Sequence, residues 1–309
     1  MFLNIILLSI GFILLIKGAD IFVDGASSIA LFFKIPTIVI GLTIVAFGTS
    51  APEAAVSIAA ALDNSSAISI SNVIGSNIFN VLAVLGINAM ICSLPITNQV
   101  VKQDLPILVC SSLLTLIFMY DSRLNRWEGL ILLLGIILYC ANLIRFTLTH
   151  SVASKEETQI ISLPKAIVLA LVGLAGVIIG GDMVVDSAKM LALSFGMSEK
   201  LVGLTIVSIG TSLPELVTGI IAARKGETDI AIGNVVGSCI FNLLFILGIS
   251  CTISPYGFES ILMIDGIIML ATTILLYALA VIKHKINRYH GIFFVSLFII
   301  YTAYIIMRN

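Results

Sequence analysis

The sequence predicts an all-α integral membrane protein of ten transmembrane helices, arranged as two inverted five-helix repeats with broken helices at the midplane. Three observations carry this. The chain is 59% hydrophobic and 11% charged, with a mean hydropathy of +1.17, whereas about a quarter of a soluble domain is charged. Its two halves carry the same motifs at a constant offset of 162 residues, without a gap, from about Gly18/Gly180 to Ile87/Ile249. Each copy also places a glutamate directly after a proline inside an apolar run, as Pro52-Glu53 and Pro214-Glu215.

The elements follow in order from apolar segments long enough to cross a hydrocarbon core of about 30 Å at 1.5 Å per residue. They cover 2–24, 37–62, 68–92, 105–120, 127–146, 164–190, 200–223, 230–253, 261–282 and 289–307. The run Phe2–Ile16 lacks the basic start of a signal peptide, and its flank repeats around Gly180, so it reads as mature structure. Five spans per half is an odd number, so the second repeat enters the membrane from the side opposite to the first. The domains are therefore 1–146, a cytoplasmic connection 147–163 and 164–309, with the repeated motifs at about 41–87 and 203–249. With both termini outside, eleven Lys and Arg fall on the cytoplasmic side (17, 34, 102, 145, 155, 165, 224, 225, 283, 285 and 288) and five outside (123, 126, 189, 200 and 308), the bias that the positive-inside rule requires.

Composition removes several functions. A net charge of −1 offers no basic patch for nucleic acid. Cys92, Cys110, Cys140, Cys239 and Cys251 show no Cys-x-x-Cys spacing and read as small buried hydrophobes, while His150, His284 and His290 fall in or beside polar connections. No Ser/Lys dyad, paired catalytic aspartates or His-Glu-x-x-His motif marks an intramembrane hydrolase, so no enzymatic activity, cofactor or obligate protein partner is expected. A cation channel is the reading from another class, but broken midplane helices in inverted repeats suit rocking between two states better than a continuous pore.

The first copy runs Gly41-Leu42-Thr43-Ile44-Val45, Gly48-Thr49-Ser50-Ala51-Pro52-Glu53 and Gly75-Ser76-Asn77-Ile78-Phe79-Asn80. The second runs Gly203-Leu204-Thr205-Ile206-Val207, Gly210-Thr211-Ser212-Leu213-Pro214-Glu215 and Gly237-Ser238-Cys239-Ile240-Phe241-Asn242. An ionisable residue in a span costs about 2.5–3.5 kcal/mol on insertion scales and marks a functional site by default. Proline lacks an N–H, so Pro52 and Pro214 free the carbonyls of Gly48 and Gly210, which membrane depth tolerates only in protein or along a cavity. Helical spacing places Thr49 and Ser50 with Glu53, Thr211 and Ser212 with Glu215, Ser76 with Asn80 and Ser238 with Asn242. Two carboxylates among hydroxyls, amides and carbonyls form a hard-oxygen set suited to Na⁺ and Ca²⁺ rather than to the tight octahedron of Mg²⁺. Either one Ca²⁺ or two Na⁺ neutralises the two charges.

These duplicated motifs resemble the α-repeats of the sodium/calcium exchanger family, within the calcium/cation antiporter superfamily, and specifically its prokaryotic ten-span members. The resemblance covers the motif-bearing core of both halves. It implies a secondary antiporter that exchanges Na⁺ for Ca²⁺ by alternating access in a prokaryotic plasma (inner) membrane. Glu53 and Glu215 would then be the central metal ligands. Thr49, Ser50, Thr211 and Ser212 would add hydroxyl or carbonyl oxygens, with the carbonyls of Ala46 and Ser208. Ser76 and Ser238 would serve outer Na⁺ positions, and Asn80 and Asn242 would flank the centre. A Ca²⁺/H⁺ antiporter is the alternative, although proton-coupled relatives resemble Gly-Asn-Ala-Ser-Glu rather than Gly-Thr-Ser. Some members carry an acid matching Asn80 or Asn242, and here both are amides.

Four plainer readings stand beside these. The threonines and serines of the motif can bond back to their own helices, and Asn80 and Asn242 can join helices by hydrogen bonds instead of binding ions. Asp20, Asp24, Asp182 and Asp186 recur in both repeats and read as interfacial structure. Phe79 and Phe241 read as packing.

Overall fold

The computed structural model describes residues 2–63, 67–149, 161–196 and 208–308. The helices are α1 (Phe2–Phe33), α2 (Thr37–Thr49), α3 (Ala51–Leu62), α4 (Ile68–Ile91), α5 (Val100–Phe118), α6 (Arg126–Thr149), α7 (Leu163–Ser194), α8 (Ser208–Gly210), α9 (Leu213–Arg224), α10 (Thr228–Ile253), α11 (Leu262–Lys283) and α12 (Arg288–Arg308). Among the described residues eight helices are long and apolar enough to cross a membrane. A ninth crossing results if α2 and α3, bent by 49° at their junction, form one broken span. Of the expected segment 200–223, only α8 and α9 and their junction are described. Residues 203–207 of the repeated motif and 150–160 of the connection lie outside the described residues, as does Asn64.

Two helices outrun their expected spans. α1 has 32 residues, about 48 Å at 1.5 Å per residue, because the apolar run resumes after Asp20 and Asp24 and continues through Ala30-Leu31-Phe32. Lys17, counted on the cytoplasmic side, sits at the middle of this helix. Lys34, with φ of 56°, ends it. α7, its repeat mate, has the same length. The two lie flush: a Cβ on Gly173 would come within 2.4 Å of the Phe22 nitrogen, and one on Gly18 within 2.6 Å of the Val177 nitrogen. Small residues there let the backbones meet without a side-chain layer.

α4 and α10 form the buried centre, while α1, α6, α7 and α12 lie at the periphery. Ile13, Leu134, Ile137, Ile179 and Ile300 project outward from these peripheral helices, as apolar side chains do against lipid. Phe79 and Phe241 are buried and pack edge-to-face on Phe298 and Phe47 respectively, in agreement with the packing role expected of them.

Four two-residue strands tie the helix ends together: β1 (Leu94–Pro95) pairs antiparallel with β4 (Lys285–Ile286), and β2 (Arg123–Leu124) with β3 (Tyr256–Gly257). A shift of 162 residues turns β1 into β3 and β2 into β4. The two pairings are thus exchanged by the repeat, and α5 runs between them from β1 to β2.

Candidate cation site

The site lies where the two broken helices meet α4 and α10. The chain bends at Ser50, whose φ and ψ are −83° and 9°, and at Ser212, where they are −93° and 9°. In each case proline occupies the first turn of the helix that follows, where its missing N–H leaves no helical bond unmade. The same geometry puts Glu53 and Glu215 in the first turns of α3 and α9, and both are fully buried. Helix N-termini favour negative charge. On the partner helices, π turns begin at Asn80 and at Asn242, covering Asn80–Val84 and Asn242–Ile246. Such single wide turns recur at functional sites.

The hydroxyls cross between the repeats. Ser50 Oγ donates to Glu215 Oε1 at 2.8 Å, and Ser212 Oγ donates to Glu53 Oε1 at 2.7 Å. Helical spacing had grouped each serine with the glutamate of its own motif. The bend instead points the serine away from its own helix and toward the other one. Ser212 also lies 3.2 Å from Ser76 Oγ, and Ser238 Oγ donates to Glu215 Oε1 and to the Ala46 carbonyl, each at 3.4 Å. The remaining oxygen of each carboxylate, Oε2, has no hydrogen-bond partner among the described residues. Buried polar atoms are ordinarily satisfied, so these two oxygens are left with capacity for a further partner.

The other expected residues divide. Thr49 bonds back to Val45 O at 3.0 Å and across to Asn234 Oδ1 at 2.9 Å, the helix-bonding behaviour that its plainer reading describes. The Ala46 carbonyl accepts the Ser50 N–H at 3.0 Å. Thr211 lines a cavity of about 540 Å³ that also meets Asn72, Gly75, Glu259 and Asp265. Asn80 is fully buried with both amide atoms unpartnered among the described residues, whereas Asn242 Nδ2 donates to Asn77 Oδ1 at 3.4 Å and leaves its Oδ1 free of such a partner. Ser208 begins α8, and its side chain lies outside what is described. Among the described residues no group of three or more His, Cys, Asp or Glu side chains is placed to hold a metal.

Three asparagines were missed by the sequence reading. Asn72 Nδ2 donates to Glu53 O at 3.3 Å, and Asn234 Nδ2 donates to Glu215 O at 3.3 Å. Each fixes the backbone of a glutamate from the neighbouring helix, and their identity across the 162-residue shift was the signal that could have found them. Asn77 had no such signal, because its mate is Cys239.

Such a duplicated membrane fold around two buried carboxylates defines a cation transporter. The sodium/calcium exchanger protein family matches residues 3–145 and 165–307, once in each half. The chain is 38% identical over 303 residues to the putative antiporter CaxA of Alkalimonas amylolytica, covering 94% of this chain and 95% of that one. It is 31% identical over 348 residues to the sodium/calcium exchanger MaX1 of Methanosarcina acetivorans, covering 98% of each. Among solved structures, the sodium-calcium exchanger NCX_Mj soaked with 10 mM Na⁺ and 10 mM Sr²⁺ superposes with a TM-score of 0.88 at 32% identity, over 98% of both chains. The chain belongs to the sodium/calcium exchanger family.

Proposed function

We propose that this chain exchanges Na⁺ for Ca²⁺ by alternating access through one shared site at the crossing of its two repeats. The observation that carries this reading is the pair of buried glutamates, each with one oxygen held by a serine of the other repeat and one oxygen unpartnered. Calcium as substrate takes six to eight oxygens in flexible geometry, and Na⁺ takes the same hard donors. Glu53 and Glu215 supply the charge. Ser50, Thr211, Ser212, Ser76, Ser238, Asn80 and Asn242 supply neutral oxygens in the ligand set, with the carbonyls of Ala46 and Ser208. Thr49 joins them through its backbone or hydroxyl oxygen. A site that is neutral when loaded and doubly negative when empty resists reorienting empty in low dielectric, which couples the two fluxes.

The architecture is ten spans in two inverted repeats, 1–146 and 164–309, joined by a cytoplasmic connection 147–163. The exchange of strand pairs supports the inversion. β1·β4 and β2·β3 lie at opposite ends of α5, and the repeat operation swaps them, as an axis across the helices would. The Lys and Arg bias orients both termini outside, in the plasma membrane of a prokaryote.

The test is Ca²⁺ uptake into proteoliposomes preloaded with Na⁺, compared with K⁺ loading and with an imposed pH gradient. Uptake driven by Na⁺ alone is expected. Uptake driven by the pH gradient, and indifferent to Na⁺, would replace this reading with cation/proton exchange.

A further inference from the structure

The two faces of the molecule are closed differently. At the end of α9, Lys225 Nζ contacts Asp20 Oδ1 at 2.8 Å, Asp24 Oδ1 at 2.6 Å and the Asp20 carbonyl at 2.7 Å. All three acceptors belong to α1. Nearby, Ser27 Oγ donates to Glu227 Oε1 at 2.7 Å, and Thr37 Oγ1 donates to Asp229 Oδ2 at 3.2 Å. Below these polar contacts Leu15, Ala19 and Val177 pack against Leu213, Val217 and Ile221. α1 is thereby held along α9 by charge above and apolar contact beneath.

The repeat mates do not reproduce this. Asp20 and Asp24 become Asp182 and Asp186, both still acidic, but Lys225 becomes Asp63. Ser27 becomes Lys189, which is exposed. Among the described residues no ion pair joins Asp63, Asp182, Asp186 or Lys189 to another group. α7 and α3, the mates of α1 and α9, do not pack together as α1 and α9 do. Three acids stand at the positions where the other face sets two acids against a lysine. The mate positions thus differ twice, aspartate for Lys225 and lysine for Ser27, and only the arrangement around Lys225 ties α1 to α9 by ion pairs.

We propose that Lys225, with Asp20 and Asp24, is a latch that seals the exchanger at this face. Aspartate at the mate position denies the opposite face the same latch and biases the resting population toward the state described here. The proposal rests on the alternating-access reading above. A latch acts only through its different strength in the two states, and its loss shifts their ratio by that difference.

The experiment is labelling of Val217→Cys by a membrane-impermeant maleimide in the full chain in nanodiscs, read by peptide mass spectrometry so that native cysteines stay in place. Val217 lies two turns below Lys225 in the apolar contact. Lys225→Met is expected to raise its labelling rate roughly two- to tenfold, the range two partly exposed ion contacts support. Asp63→Lys, an exposed substitution that installs the missing cation, is expected to raise it as well by favouring closure of the other face. Unchanged labelling in folded Lys225→Met would make the contacts a static brace and overturn the latch. If that variant does not fold, unchanged labelling in Asp63→Lys overturns it. Because labelling reads conformation without flux, a labelling response beside absent Na⁺-driven uptake would sink the proposed exchange and leave the latch standing.

Discussion

Replacing Glu53 with glutamine removes one unit of charge from the site and almost nothing from its shape. Ser212 Oγ, 2.7 Å from Glu53 Oε1, keeps an acceptor in the amide oxygen, so the crossing between repeats survives. What is lost is half of the negative charge facing a divalent ion in a fully buried position. Breaking a buried charge pair by removing one partner costs about 3–5 kcal/mol, or roughly two to four decades of Ca²⁺ affinity at 1.4 kcal/mol per decade. Without ions the sign reverses. Glu53 and Glu215 lie within electrostatic reach of each other, so neutralising either one relieves repulsion and the ion-free variant gains thermal stability. The paired assay is Na⁺-driven Ca²⁺ uptake in proteoliposomes and the ion-free Tm in detergent, for Glu53→Gln and Glu215→Gln alike. Flux near that of the parent would refute the shared site. A Tm that collapsed in both variants would make the carboxylates structural props.

Three further outcomes are expected. Three Na⁺ per Ca²⁺, the ratio the family resemblance favours, would leave the Na⁺-loaded site one charge positive, unlike the neutral Ca²⁺-loaded one, and each cycle would move one net charge worth about 2.3 kcal/mol per 100 mV; uptake that ignored a potassium–valinomycin potential would instead support two-for-one exchange. Cysteines introduced singly at Arg123 and Lys285, repeat mates in β2 and β4 and both exposed, should label from outside and inside respectively, and labelling of both from one side would end the inverted arrangement. Gly173→Val would drive a side chain into the Phe22 backbone, since even a Cβ reaches 2.4 Å from its nitrogen. A cost of about 1–3 kcal/mol or more is expected, and an unchanged Tm would show that the α1–α7 contact yields more easily than its geometry implies.

The sequence displayed the glutamates and the broken helices because both are local. Pro52 and Pro214 mark the breaks within a few residues, and a carboxylate in an apolar run is conspicuous wherever it lies. The partners of those carboxylates were not legible. Ser50 and Glu215 are 165 residues apart, and only the packing of α2 against α10, and of α9 against α4, brings the two repeats into bonding range. Asn72 and Asn234 are polar residues beside small ones, a pattern that fits helix packing as well as support of a site, and only the bonds to Glu53 O and Glu215 O separate the two. The overrun of α1 was not legible because Asp20 and Asp24 resemble the end of a span, while their answering charge, Lys225, stands at the end of another helix 205 and 201 residues away.

The crossed serines also bear on how such a chain arose. Each carboxylate takes its shortest hydroxyl contact from the other half, Glu53 from Ser212 and Glu215 from Ser50. A half-length ancestor would have possessed a finished site only by meeting a second copy of itself, head against tail. Joining the two copies in one polypeptide removed the requirement that they stay identical. The divergence that followed is visible where Asn77 faces Cys239 and where Asp63 answers Lys225: a symmetric pair can hold an ion, but only unequal halves can give the cycle a preferred resting place.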